Sequence, residues 1–174
     1  DIDRIDAINL RDGQDRALVS VASNYNGVIV APTGFGKSYL IGQICRMYPK
    51  LHIIVCTPRK SVVKSLYDRL SSDPLLQDKV GVVCSWKNTG IDYPVIVTTT
   101  KSLGRMDCEK CDLLLFDECQ GVGAAFASTQ VSRFVNARKF GFSESPTGRS
   151  DGEDKVLEAL FGPVRMDYTY QMAV

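Results

Sequence analysis

The stretch "APTGFGKS", residues 31–38, carries the densest chemistry in the sequence. Gly34 and Gly36 stand just before Lys37 and Ser38, where an apolar strand pattern gives way to a helical one. A glycine-rich turn in that setting aims backbone amides and a helix N-terminus at one point, which suits a phosphate. Lys37 is expected to reach the β and γ phosphates of a nucleotide, and the Ser38 hydroxyl to bind Mg2+. Pro32, Thr33, Phe35 and Tyr39 complete the cradle. Ala31 occupies a position where the general pattern has glycine, and its methyl is tolerable only if φ there stays negative.

A second set of reactive groups closes the apolar run "DLLLFDECQ". Asp117 and Glu118 at the end of such a strand would face the same ligand as the loop, Asp117 holding Mg2+ through its water shell and Glu118 orienting or deprotonating an attacking water. A strand-terminal acidic pair is by itself often a solvated turn; its place after a phosphate loop, with a strand and helix between, favours chemistry.

The elements that must position these groups follow from periodicity. Helical spacing spans 13–24, 37–47 and the segment from Lys60 after Pro58, with a short helix over 153–160. Strand patterns cover "GVIVAP", "LHIIVCT", "KVGVVC", "PVIVTT", "DLLLFDE", residues 139–143 and the closing "GPVRMDYTY". Apolar strands alternating with helices predict a mostly parallel sheet covered on both faces, with ligands at the carboxyl ends of its strands.

Bulk properties narrow the classes. The 174 residues are 44% hydrophobic and 24% charged, an ordinary globular composition that suits one domain over residues 1–174. With 21 basic and 20 acidic residues, net charge neither demands nor excludes a polyanionic partner. No apolar run approaches the roughly 20 residues of a membrane span. The start "DIDRIDAINL" has neither an initiator methionine nor a signal pattern and suggests a piece of a longer polypeptide. The six cysteines fit a reducing cytoplasm, and Cys108 and Cys111 have zinc-knuckle spacing but no second pair to answer them.

Together the motifs resemble the first RecA-like domain of superfamily 2 helicases and translocases, over nearly the whole chain. The resemblance implies an α/β, RecA-like P-loop domain with a mostly parallel central sheet, binding ATP and Mg2+. Alanine at the first loop position is common in that family, which accommodates Ala31. By resemblance Gln14 in "LRDGQ" recognises adenine with help from Arg11, although Gly13 replaces the usual aromatic residue. Thr57, Pro58, Arg59 and Lys60, and then Thr98, Thr99, Thr100 and Lys101, match segments that contact a nucleic-acid backbone. Hydroxyls and cations of this kind suit phosphate oxygens and carry no sequence code. Gln120 replaces the histidine of the Asp-Glu-x-His box and is expected to link nucleotide to a second domain. Ser143 and Ser145 keep the hydroxyls of the segment that couples hydrolysis to movement, while Glu144 replaces a small residue between them.

"SPTGRSDGED" and "LFGPVRMDYT" look more like branch-migration, repair and restriction-type DNA motors, phage-type branched-DNA helicases above all, than like DEAD-box RNA helicases. The resemblance therefore implies an ATP-dependent DNA helicase of repair, recombination or replication, acting on branched or forked DNA. It would be cytoplasmic, in a host if phage-encoded. The isolated chain is expected to be monomeric and weakly active, because it lacks the Gln-x-x-Gly-Arg-x-x-Arg segment with which a second RecA-like domain supplies an arginine finger. RNA helicase, restriction-type translocase, small P-loop kinase and non-catalytic nucleotide-sensing DNA-docking module are the alternatives.

Overall fold

The computed structural model describes residues 2–6, 9–85, 87–89, 91–119, 125–144 and 153–168. Strands β1 (Gly27–Val30), β2 (Ile53–Thr57), β3 (Val80–Cys84), β5 (Val95–Thr99) and β6 (Leu113–Asp117) are buried along their whole length. Continuous burial of β-branched and leucine residues is what a parallel sheet covered on both faces requires. Three further strands, β4 (Lys87–Thr89), β7 (Arg138–Ser143) and β8 (Val164–Asp167), complete a sheet of order β4-β3-β5-β2-β6-β7-β1-β8. Among the described residues seven strands run parallel, and only β4 pairs antiparallel, on the β3 edge.

Successive strand residues point to opposite faces, so the sheet divides the core in two. One face takes Ile53 and Val55 of β2 with Leu113 and Leu115 of β6, under helices α1 (Gln14–Ser23), α2 (Lys37–Met47) and α3 (Lys60–Ser72). Ile54, Cys56, Leu114 and Phe116 face the other way, under α4 (Ala125–Ser132) and α5 (Glu153–Phe161). There the Phe116 and Phe161 rings meet edge to face with centroids 5.8 Å apart, a geometry that aromatic quadrupoles favour.

The expected helices and strands are present within a residue or two at their ends, except that the closing strand, expected to reach residue 170, ends at Asp167, and residues 169–170 lie outside the described residues. The short 3-10 turns Ile2–Arg4 and Leu103–Arg105 were not expected, nor were two longer elements. Helix α4 buries only Ala127 and Val131 and leaves Phe126 exposed, so its sequence lacks the segregated apolar face that signals a helix. Strand β4 has three residues and no apolar side chain; pairing with β3 alone defines it.

For function the decisive feature is the strand order. β2, β6, β7 and β1 are consecutive neighbours, so their carboxyl ends bring Thr57, the Asp117–Glu118 pair, Glu144 and the phosphate loop onto one edge.

Candidate functional site

The loop after β1 has the conformation its residue types demand. Gly34 and Gly36 both lie at φ +87°, a left-handed conformation in which glycine pays no Cβ penalty. A Cβ on Gly36 would stand 2.6 Å from Gln14 Nε2. Helix α2 then starts at Lys37 with no side chain capping its first turn, so those amides remain available to an anion. Among the described non-glycine residues only Asp78 and Glu118 have positive φ. Ala31 is therefore in ordinary backbone, with its methyl in the core and its N–H donating to Ser143 O at 2.8 Å.

Gln14 is buried behind this loop. Its Nε2 donates to Phe35 O at 2.8 Å, and its Oε1 accepts the Arg11 N–H at 2.8 Å. Arg11 Nη1 reaches Gly34 O at 3.3 Å. Adenine recognition was expected of Gln14, but both ends of its carboxamide are engaged within the chain here, and the pair braces the loop from its helix side. Beside it lies a cavity of about 270 Å3 lined by Arg11, Asp12, Pro32, Thr33, Phe35 and Tyr168. The Tyr168 ring lies 4.8 Å from that of Phe35 and donates its hydroxyl to Asp12 Oδ2 at 3.0 Å. A Cβ at Gly13 would strike that ring at 2.4 Å, so the glycine makes room for Tyr168. Tyr39 points elsewhere: Asp6, Arg46 and Asp73 are its charged neighbours, and burial raises its phenol above the ordinary value.

Lys37 Nζ lies 3.4 Å from Glu144 Oε1, and the Thr33 hydroxyl donates to the same oxygen at 2.9 Å. The Thr33 hydrogen bond and then the Lys37 charge hold the Glu144 carboxyl below its usual pKa. Across β7, burial lifts Asp117 above the usual carboxylate value; Lys37 opposes that shift and Glu118 reinforces it. Glu118 sits at φ +56°, its N–H accepted by Asp117 Oδ1 at 3.0 Å, and its Oε2 lies 3.2 Å from Arg59 Nε. A bulky residue held left-handed carries strain of order 1–3 kcal/mol, a cost often seen at working sites. Ser38, next to Lys37 at the start of α2, and Asp117, at the end of β6 within reach of the Lys37 charge, offer the hard oxygen donors that Mg2+ takes. The residues present therefore fit a Mg–nucleotide.

The two expected nucleic-acid segments divide sharply by exposure. Pro58, Arg59, Lys60 and Lys101 are at the surface, whereas Thr57, Thr98, Thr99 and Thr100 are buried. The expectation that Thr98 contacts a backbone phosphate is corrected here: it is 0% exposed and its hydroxyl donates to Val83 O at 2.7 Å. It fastens β5 to β3. Thr99 Oγ1 accepts the Ser102 N–H at 3.3 Å, and Thr100 N–H donates to Thr57 O at 3.2 Å, so both shape the turn that presents Lys101. The Thr57 hydroxyl is buried without a hydrogen-bond partner. Ser143 is buried at the end of β7. Gln120 and Ser145 lie outside the described residues.

Three features of this edge escaped the residue patterns. Glu144 reaching the loop, Arg59 reaching Glu118 and Tyr168 covering Phe35 each join residues distant in sequence. Only Glu144 left a local trace, as a carboxylate where the related segment has a small side chain.

An α/β sheet with a phosphate loop, a strand-terminal acidic pair and two polar turns on one edge is the arrangement of the first RecA-like domain of superfamily 2 helicases and translocases, the class to which this chain belongs. Its family is the one described as type III restriction enzyme, res subunit, which matches residues 7–147. The chain is 26% identical over 164 residues to the DNA 3'-5' translocase XPB2 of Sulfurisphaera tokodaii, covering 91% of itself and 36% of that protein. Its fold matches the UvsW helicase of bacteriophage T4 with a TM-score of 0.77 at 19% identity, over 90% of this chain and 60% of UvsW. The Hef helicase domain of Pyrococcus furiosus matches with a TM-score of 0.74 at 22% identity, over 94% of this chain and 38% of that one. The chain thus spans only part of each of these relatives.

Proposed function

We propose that this chain is the ATP-binding motor domain of a DNA helicase or translocase, coupling ATP hydrolysis to unwinding or branch migration of branched or forked DNA. The observation that carries the reading is the convergence of Lys37, Asp117, Glu118 and Arg59 on one sheet edge. The family match and the similarity to a protein named as a DNA translocase support DNA as the track. The family description equally accommodates a restriction-type translocase.

In this reading the amides at the start of α2 and the Lys37 ammonium hold the β and γ phosphates, and Ser38 with Asp117 holds Mg2+. The metal, when bound, neutralises charge that develops on the phosphoryl oxygens. Glu118 orients the attacking water and accepts its proton, and its local strain fixes the carboxylate at the strand end. Arg11 and Gln14 brace the loop beside the base, with Phe35 and Tyr168 as the nearest aromatic surface. Arg59, Lys60 and Lys101 take phosphodiester oxygens; Arg59, paired with Glu118, joins the track to the hydrolytic centre. Ser143, Ser145 and Gln120 carry the change to a second RecA-like domain of the same polypeptide. That domain supplies the arginine finger, whose absence costs about 10³- to 10⁵-fold in turnover.

The chain by itself is therefore expected to bind ATP or ADP, to hydrolyse slowly and not to unwind DNA. The test measures ATPase rates of the full-length polypeptide with single-stranded, duplex and forked DNA and with RNA, beside its Lys37→Ala variant. Stimulation by DNA that disappears with Lys37 supports the reading. Equal rates with and without nucleic acid favour the docking module, and strong DNA-stimulated hydrolysis by the 174-residue chain alone sinks the two-domain account.

A further inference from the structure

Glu144 stands in the position of an anion. β7 lies between β1 and β6, so the residue that leaves its carboxyl end emerges between the phosphate loop and the acidic pair. Its Oε1 accepts the Thr33 hydroxyl at 2.9 Å and lies 3.4 Å from Lys37 Nζ, two groups of the loop itself. The Lys37 side chain is only 13% exposed, whereas that of Glu144 is 46% exposed. The cation is thus built into the site, and the carboxylate is the partner that water can reclaim. An aliphatic residue at position 144 would offer neither the charge nor the hydrogen-bond acceptor.

We infer that Glu144 is a resident competitor for the nucleotide's terminal phosphates, neutralising Lys37 until a di- or triphosphate displaces it. This rests on the reading of the loop as a phosphate cradle. A polyphosphate brings several charged oxygens that also take the free amides of α2, so it outbids a single half-exposed carboxylate. Displacement frees the end of β7, the segment the family resemblance connects with movement. Glu144 is therefore a positioning residue: it reports the filled cradle to the strand end without touching the reacting atoms.

The test is calorimetric titration of this chain with ADP and with AMP, repeated for Glu144→Gln and Lys37→Ala, with weak AMP binding measured by displacement of a fluorescent ADP analogue. Glu144→Gln keeps the shape and removes the charge, and is expected to bind ADP about three- to tenfold more tightly. AMP, which has no β phosphate to meet Lys37, is expected to bind the variant and the parent within about twofold of each other. Unchanged or weaker ADP binding by Glu144→Gln overturns the inference, as does an equal gain for AMP. If Lys37→Ala binds ADP as well as the parent does, the cradle reading itself fails; loss of ADP binding there, with no gain in Glu144→Gln, removes only the role given to Glu144.

Discussion

The two edges of the sheet are built to opposite standards. At the amino ends of the strands, charges are matched within the chain. Arg138, opening β7, donates from Nη2 to Val21 O at 2.7 Å and Asn24 O at 2.6 Å, closing the end of α1, while its guanidinium stacks against Tyr48 and Phe140. Arg46 Nη2 donates to Asp73 Oδ1 at 2.8 Å between the ends of α2 and α3, and Asp112 Oδ2 accepts the His52 N–H at 2.8 Å. At the carboxyl ends the matching is poor. Asp117 is buried against its charge, Glu118 is in left-handed backbone, Thr57 has a buried hydroxyl with no partner, and the first turn of α2 has no side-chain cap. The first edge is held mainly by bonds within the chain, although the Ser71 hydroxyl at the end of α3 is also buried without a partner; the second gathers a strained residue, a desolvated carboxylate and an uncapped helix start. The lesson is that backbone strain and a desolvated strand-end carboxylate, rather than charge as such, set the candidate site's edge apart.

Substitutions at the two edges should therefore separate stability from turnover. The largest effect is expected from Glu118→Gln, which lowers ATP turnover of the full-length polypeptide about 10²- to 10⁴-fold while the Tm changes little. The exposed Arg59 ion pair that it loses contributes almost nothing to folding. A parallel fall in Tm would break the comparison. Next is Arg138→Ala at the opposite edge, which uncaps α1 and removes two cation–aromatic contacts. It should cost about 3 kcal/mol, lowering the Tm of this chain by about 6 to 12 °C, with ADP affinity of the folded fraction unchanged. An altered affinity at a temperature where the variant remains folded would show that the edges are coupled. The smallest is Thr57→Val, which removes a buried hydroxyl that bonds to nothing. It should stabilise the chain by about 0.5 to 1 kcal/mol, raising Tm in thermal denaturation; a loss of stability would show that the hydroxyl is already satisfied.

Local pattern was sufficient for most of the scaffold and for the reactive core of the site. The apolar strands are long and fully buried, so their periodicity survives every tertiary detail, and the loop from Ala31 to Ser38 owes its shape to its own glycines. Asp117 and Glu118 were legible because a strand ending in acids has one direction in which to deliver them. Helix α4 was not legible, since its burial of Ala127 and Val131 depends on neighbours rather than on a face written in its sequence. Nor was the burial of Thr98, which depends on β5 lying beside β3.

What the amino-acid sequence by itself determined is the chemistry on offer: a phosphate cradle, an acidic strand end and two polar turns, each set by residues within a few positions of one another. What only the tertiary structure decided is which of those groups meet. The insertion of β7 between β1 and β6 carries Glu144 to Lys37 across 107 residues, the adjacency of β2 and β6 brings Arg59 to Glu118, and β8 beside β1 lays Tyr168 over Phe35. Strand order is a global outcome of packing, so no local spacing could have announced these pairs.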